Sequence, residues 1–475
     1  MRVEGRESQI KPKIGLLGLY IELYDNALPE VRPRIDGFCA TIAEELQERD
    51  IDVVTTNICR LESEFEAAIK SFEDTGVDAV VTLHLAYSPS LESAQALAKT
   101  KLPIIVLDTT PTYEYGPEQN AAELMYNHGI HGVQDMCNLL IRNGKPFEIE
   151  SGHWEKSDVL DRIAAWAEAA MAVTAMKTAR VGIIGAQFKG MGDFAIPFEV
   201  LRSTIGIETI HCDPSVIQSL VPDKDDKAVE DCIASDQVRF MAEDLDLARQ
   251  RETTRACLGV RRWIEKENLT AFTMNFMQID KASGLPTVPF LEASKAMADG
   301  IGYAGEGDVL TAALVGALMS VFTDTTFTEM FCPDWHGDSI FLNHMGEMNL
   351  SLSATKPKLR EMDFPWTDAE NPIFAVGKFK AGEAVLVNLA PGPNDSYSLI
   401  VAPVTMLDIK GKDNMSDLIH GWFRPEMPVG DFLEEYSRAG GTHHLALVYG
   451  DVLEQIVRFG MLMGWNVVAL GFDLS

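Results

Sequence analysis

The sequence predicts an α/β protein: two doubly wound α/β domains followed by a C-terminal β-rich, barrel-like domain. Short apolar runs alternate with helix-period segments through the first and middle parts of the chain, the pattern of βαβ units around a buried parallel sheet. Closely spaced strand-like runs divided by turn residues then take over, as in an antiparallel barrel or sandwich. A length of 475 residues also exceeds what a single core serves, so about two to four domains are expected.

From Lys13 the elements run KIGLLGLY (strand), IDGFCATIAEELQERD (helix), IDVVTTN (strand), LESEFEAAIKSFED (helix), VDAVVTLH (strand), SLESAQALAKT (helix) and PIIVLDT (strand). The stretch from about Asn127 to Thr178 reads mostly helical, with Ser157 or Asp158 as N-cap of VLDRIAAWAEAAMAV. A second series follows: ARVGIIGA, a helical passage after Pro197, IETIHCD, a long acidic helical region from Asp225 to Gln250, RRWIEKENL, TAFTMNF and a helix near Leu291–Ala298. SIFLNHM, FAVGKFK, EAVLVNLA, YSLIVAPVTMLDI and HHLALVYG read as strands, closed by the helix VLEQIVRFGMLMG and the strand NVVALGF. These shifts set domains at residues 1–178, 179–325 and 326–475.

A hydrophobic content of 46% suits buried cores, while 71 acidic against 40 basic residues leave a formal charge of -31. A field of that sign repels phosphate backbones and anionic lipid, which argues against nucleic-acid and membrane partners; solubility alone is the plainer role of the excess. Seven scattered cysteines without a C-x-x-C pair favour neither a disulfide framework nor a thiolate zinc site. The N-terminal MRVEGRESQIKPK has no apolar signal core, and no apolar run long enough to span a bilayer occurs. Both point to a cytoplasmic protein.

Dinucleotide, P-loop and nucleophile-elbow spacings are missing: GLLGLY and GIIGAQFKGMG fail the first, and no G-x-x-x-x-G-K-[ST] or G-x-S-x-G occurs. Carboxylates and histidines in unusual settings remain. Glu306 sits between Gly305 and Gly307 in GYAGEGDVLTAAL. The glycines allow a sharp turn and close ligand approach, and Asp308 reads as N-cap of the next helix. A polar turn is the plainer reading of Glu306 alone. Glu329, in TDTTFTEMF, is too enclosed by apolar and β-branched neighbours to be a solvated acid, so it is paired or a ligand. His344 in FLNHMGE and the pair His443 and His444 in GGTHHLAL each read singly as satisfied core or strand histidines.

Together they make a coherent metal set. Two carboxylates and two imidazoles form a mixed O/N group that suits Mn²⁺, Co²⁺ or Mg²⁺ over thiophilic metals and leaves positions free for two adjacent sugar oxygens. A cation so placed, with a carboxylate taking a proton from C2 of an aldose and another group returning it to C1, accomplishes isomerisation through a cis-enediol.

In these residues the sequence resembles the L-arabinose isomerase family, within the wider fucose/arabinose isomerase group. The matching stretches are GYAGEGDVLTAAL, TTFTEM, SIFLNHMGEMNLS and GGTHH, with SGHWEKSDVLDRIAAWAEAA upstream. The resemblance implies a metal-dependent aldose–ketose isomerase acting on a monosaccharide, with Glu306, Glu329, His344 and His444 as ligands and the two glutamates as acid and base. It implies homotrimers or homohexamers with active sites at subunit junctions. It further implies a substrate-binding His131 from a neighbouring subunit and an aromatic wall at Phe276; a core role for Phe276 fits equally. Phe188 stands where the family carries methionine, and His443 is a candidate substrate contact or an alternative ligand to His444. GLYIELYDN departs from the family's G-S-Q-x-L-Y-G pattern, so the sugar stays open. A non-catalytic sugar-binding or regulatory protein on the same scaffold, or a fucose-type isomerase, is the alternative, although the latter's usual Glu, Asp and single His fit less well.

Overall fold

The computed structural model describes residues 11–243 and 245–473; the polar N-terminal segment up to residue 10, including most of MRVEGRESQIKPK, lies outside them. The chain forms two compact units, Gln9–Val173 and Thr174–Ser475.

The first unit is a five-stranded parallel sheet of β1 (Lys13–Leu19), β2 (Asp52–Thr55), β3 (Ala79–His84), β4 (Ile104–Asp108) and β5 (Glu148–Ser151), in the order β2-β1-β3-β4-β5. β1, β3 and β4 are almost wholly buried, as apolar runs covered on both faces should be. Helices Arg32–Gln47, Glu62–Thr75 and Ser90–Lys99 fall where the apolar periodicity puts them. Residues 127–178 are less uniformly helical than expected. Helices Ile130–Arg142 and Val159–Lys177 flank β5, whose EIES sequence shows no strong β signal and is a strand because β4 offers its free edge. Of the two expected caps, Ser157 accepts through Oγ from the Val159 amide at 3.3 Å.

The second unit opens with a four-stranded parallel sheet, β6 (Arg180–Ile184), β7 (Glu208–His211), β8 (Ala271–Met274) and β9 (Gly302–Gly305), in the order β7-β6-β8-β9. The long acidic helical region holds two helices, Lys227–Arg239 and Leu247–Glu267, the second running on through RRWIEKE; Asp226 and Asp246 each cap one of them. Helix Val309–Val321 is apolar on nearly every side and almost wholly buried, the pattern of a helix enclosed by other elements. It packs on β6, β8 and β9 and also on three strands of the following barrel. A Cβ on Gly302 would meet the Gly316 backbone nitrogen at 2.4 Å, so β9 and this helix approach as closely as glycine permits.

The remaining strands are β10 (Thr325–Asp334), β11 (Ser339–Asn343), β12 (Lys358–Glu361), β13 (Ile373–Val376), β14 (Gly382–Pro391), β15 (Tyr397–Met406), β16 (Gly421–Pro425), β17 (His444–Tyr449) and β18 (Asn466–Ala469). Six of them close a barrel in the order β14-β17-β10-β11-β16-β15, with β15 pairing back to β14; β18 adds parallel to β15, and β12 and β13 form a separate pair. Side chains alternate along each strand. Leu445, Leu447 and Tyr449 of β17 enter the barrel core with Leu342, Leu386, Ile400 and Phe423, leaving His444, Ala446 and Val448 for the face that meets helix Val309–Val321. None of the described helices is long and apolar enough to cross a membrane.

Lys295 and Asp236, 1% and 2% exposed, form an ion pair at 2.7 Å between two helices of the second unit. Removing one member strands a buried charge. Lys295→Met should lower stability by about 3–5 kcal/mol, read as a lower urea midpoint, and adding Asp236→Leu should recover most of the loss. An unchanged midpoint in the single variant contradicts this role.

Candidate active site

Parallel sheets present ligand-binding loops at their carboxyl ends, and the second unit does so three times. Glu306 follows β9, Phe276 follows β8, and the loop after β6 carries Phe188. Glu306 has a left-handed backbone, φ 63°, a conformation that non-glycine residues enter at a cost and that concentrates at functional sites. Its flanking glycines have the expected use: a Cβ on Gly305 would lie 2.9 Å from the His344 ring, and Gly307 has φ 84°. The Phe188 amide donates to the Glu306 carbonyl at 2.9 Å, which docks the β6 loop on this turn.

The barrel supplies the other groups through strand register. Glu329 on β10 pairs directly with His444 on β17 and with Asn343 on β11; residues opposed in an antiparallel pair share a face. His344 comes one residue beyond Asn343. His444 Nε2 lies 3.0 Å from Glu329 Oε1 and 3.5 Å from Glu306 Oε2, and His344 Nε2 lies 3.6 Å from Glu329 Oε1. His443 Nε2 stands 3.8 Å from Glu306 and 3.9 Å from Glu329. Donor atoms of Glu306, Glu329, His443 and His444 all lie within 4.8 Å of one another; His344 adjoins this group through Glu329.

Each imidazole is oriented from behind by a carboxylate. His444 Nδ1 meets Asp308 Oδ2 at 2.9 Å, His344 Nδ1 meets Glu347 Oε2 at 2.7 Å, and His443 Nδ1 meets Asp193 Oδ2 at 2.6 Å. Tyr303 donates to the other Glu347 oxygen at 2.6 Å. Such contacts put the proton on Nδ1 and leave Nε2 for a ligand, the arrangement found behind metal-binding histidines. Phe327, fully buried, lies edge-on to both His344 and His444, and Phe194 stacks on His444 at 5.0 Å.

Charge and hydrogen bonding both leave room for a cation. Five carboxylates face three imidazoles, so at full ionisation of the acids net negative charge remains even with every ring protonated. Glu306 Oε2 and His444 Nε2 are buried without a hydrogen-bond partner although they converge. Donors about 2.1 Å from a common ion are themselves about 3–4 Å apart, close to the spacing here. Burial works against ionisation of Glu306, but His443 and His444 outweigh it and bring its pKa down to about 2. Burial likewise opposes charge on His444, yet Asp308, Glu306 and Glu329 hold its pKa well above the usual imidazole value. The oxygen and nitrogen donors fit a hard or borderline divalent ion.

Phe188 and Phe276 meet at 5.8 Å between ring centroids, at the ends of β6 and β8. His131 belongs to the first unit, exposed at the start of helix Ile130–Arg142, with its ring 6.1 Å from that of His128. Near that helix start is His84, which ends β3: a Cβ on Gly132 would lie 2.3 Å from its ring. Neither ring nitrogen of His84 has a partner, and burial pushes its pKa down to about 3.

Sequence reasoning missed Asp193, Glu347 and the second task of Asp308. Asp308 is the expected N-cap, its Oδ1 accepting from the Thr311 amide at 2.9 Å, but its other oxygen serves His444. Glu347 carried a usable signal, lying three residues beyond His344. Asp193 carried none, because its partner is 250 residues away.

Residues 22–178 match the L-arabinose isomerase N-terminal domain, residues 222–324 the central domain and residues 324–466 the C-terminal domain. The L-arabinose isomerase of Anoxybacillus flavithermus is 26% identical over 485 residues, covering 94% of this chain and 91% of that protein. That of Geobacillus thermodenitrificans is 26% identical over 422 residues, covering 83% and 81%. A periplasmic solute-binding protein from Actinobacillus succinogenes with bound D-allose is 13% identical, with coverage of 66% and 92%, and its TM-score of 0.16 carries no argument. Parallel α/β sheets and a closed barrel, with domain matches over residues 22–178 and 222–466, define a sugar isomerase. The chain belongs to the L-arabinose isomerase family.

The two tasks of Asp308 are separable. Asp308→Ala should cost about 0.5–2 kcal/mol through the lost cap and weaken binding of an added divalent cation about 10–100-fold through the lost imidazole partner. Asp308→Ser keeps a capping oxygen but is too short for His444, so thermal melts should show stability restored while calorimetry shows affinity still low. Full recovery of both by serine would contradict the assignment.

Proposed function

We propose that this sugar isomerase interconverts a free aldose, L-arabinose or a related pentose or hexose, with its ketose, using a divalent cation held by Glu306, Glu329, His344 and His444. The observation that carries the reading is the convergence of carboxylate-backed imidazoles on Glu306 and Glu329. Mn²⁺ is the cation of choice, with Co²⁺ or Mg²⁺ as alternatives for the same donors. Bound there, it would supply Lewis-acid polarisation of the sugar's carbonyl and adjacent hydroxyl oxygens.

The protein's own groups move the protons. One of Glu306 and Glu329 takes the proton from C2 and that proton is returned to C1, directly or by way of the other, so both carboxylates end as they began. A proton passes from O2 to O1, so the aldose becomes the ketose by way of a cis-enediol. The low pKa of Glu306 supports an ionised carboxylate ready to accept. Phe188 and Phe276 form an apolar wall for the sugar's carbon skeleton, and the more exposed His443 contacts its hydroxyls. His131 from a neighbouring subunit of a homotrimer or homohexamer completes the pocket, a role supported by its exposure on the first unit. Seven free cysteines suit a reducing compartment, and we place the protein in the cytoplasm.

The test is a chelator-stripped preparation assayed on L-arabinose, D-galactose, L-fucose and D-arabinose with and without Mn²⁺. Turnover should require the added cation, and Glu306→Gln and Glu329→Gln should each lower kcat by about 10²–10⁴-fold or more. Tight sugar binding without turnover or cation dependence would instead identify a binding protein.

A further inference from the structure

The loop between β6 and helix Phe198–Thr204 is fastened to the candidate site at two points, Phe188 and Asp193. Its near limb is held by the Phe188 amide on the Glu306 carbonyl. Its far limb is held internally by Gln187, whose Nε2 donates to the carbonyls of Phe194 and Ile196 at 3.3 and 3.0 Å. Between them Asp193 Oδ2 accepts from both the His443 amide, at 3.0 Å, and His443 Nδ1, at 2.6 Å. A single carboxylate oxygen thus fixes the backbone and the ring of one residue.

The consequence falls on Nε2. With Nδ1 committed to Asp193, the ring turns Nε2 toward Glu306 and Glu329, 3.8 and 3.9 Å away. The His444 side chain is wholly enclosed, whereas that of His443 is 39% exposed, so His443 occupies the open side of the carboxylate pair. An imidazole free to rotate or change tautomer would offer a polyol hydroxyl an undefined mixture of donor and acceptor; one held through Nδ1 offers a fixed partner.

We infer that Asp193 is a positioning residue that holds the His443 ring with Nε2 facing the carboxylate pair, so that His443 engages a hydroxyl of the sugar and the β6 loop helps set substrate affinity. The inference rests on the isomerase reading for the identity of the ligand, while the positioning itself does not depend on turnover.

The test uses the full-length protein and Asp193→Ala and Asp193→Asn variants. Kinetics are measured with Mn²⁺ on the aldose of the panel that the wild type converts fastest. Ring ¹⁵N–¹H spectra are recorded on the Mg²⁺-loaded, ¹⁵N-histidine-labelled protein. Asp193→Ala should raise KM about 10–100-fold, the range for losing an orienting partner, with a smaller change in kcat and Mn²⁺ affinity held within about twofold. The His443 Nδ1–H resonance should be observable in the wild type and lost to solvent exchange in the alanine variant. Asp193→Asn, whose amide oxygen still accepts, should restore the resonance and most of the KM. A folded alanine variant with unchanged KM and an intact Nδ1–H signal overturns the inference. So does a loss confined to melting temperature or to Mn²⁺ affinity, which would make Asp193 a latch or a support for a cation ligand. If the wild type converts no aldose yet its Nδ1–H signal depends on Asp193, the positioning stands and the isomerase reading falls.

Discussion

The hydrogen bond from His444 to Asp308 is the contact on which the candidate site depends. Both side chains are fully enclosed, and they come from different parts of the second unit: Asp308 begins the helix that follows the last parallel strand, and His444 begins β17 of the barrel. One oxygen of Asp308 caps the helix while the other orients the imidazole. An apolar substitution for Asp308 would remove the helix cap and the partner that orients the imidazole at once. The close approach of Gly302 to Gly316 and the packing of the buried helix against both β structures fix the distance across which that bond must form.

From that contact outward, the three imidazoles form a gradient of enclosure. His444 is sealed between Phe194 and Phe327, His344 is nearly buried behind Phe327, and His443 faces solvent. Enclosure strengthens the attraction between rings and carboxylates by lowering the local dielectric, and it makes each unpaired lone pair more costly. Unpartnered Glu306 Oε2 and His444 Nε2 sit where those effects are strongest. The side open to solvent carries the group with the weakest enclosure, His443, and the aromatic pair Phe188 and Phe276 lies on loops of the same unit.

Local patterns in the sequence revealed what is local in the fold. Apolar runs such as VDAVVTLH and PIIVLDT became buried parallel strands, and Asp308 became the expected cap. EIES failed as a signal because its strand is specified by the edge of β4 and not by its own composition. The acidic segment after Asp225 was legible as helical but its break was not, because charge patterning continues across the point where Phe240 turns inward to the barrel core and Asp246 begins a new helix. Glu306, Glu329, His344 and His444 were legible as unusual residues in family-like order. Their grouping was expected from their combined chemistry and the family resemblance; the geometry that achieves it was not legible, since it follows from the register that sets Glu329 opposite His444 and from a helix buried between sheet and barrel. Asp193 was invisible for the same reason: only folding across 250 residues brings it to His443.

Anomalous diffraction from crystals grown with Mn²⁺ examines the central claim without reference to any sugar. A single strong peak is expected within coordination distance of Glu306, Glu329, His344 and His444, with the Asp308 and Glu347 carboxylates still on the Nδ1 atoms of His444 and His344. A peak elsewhere, or no peak while His444 Nε2 forms an ordinary hydrogen bond to Glu329, would contradict it.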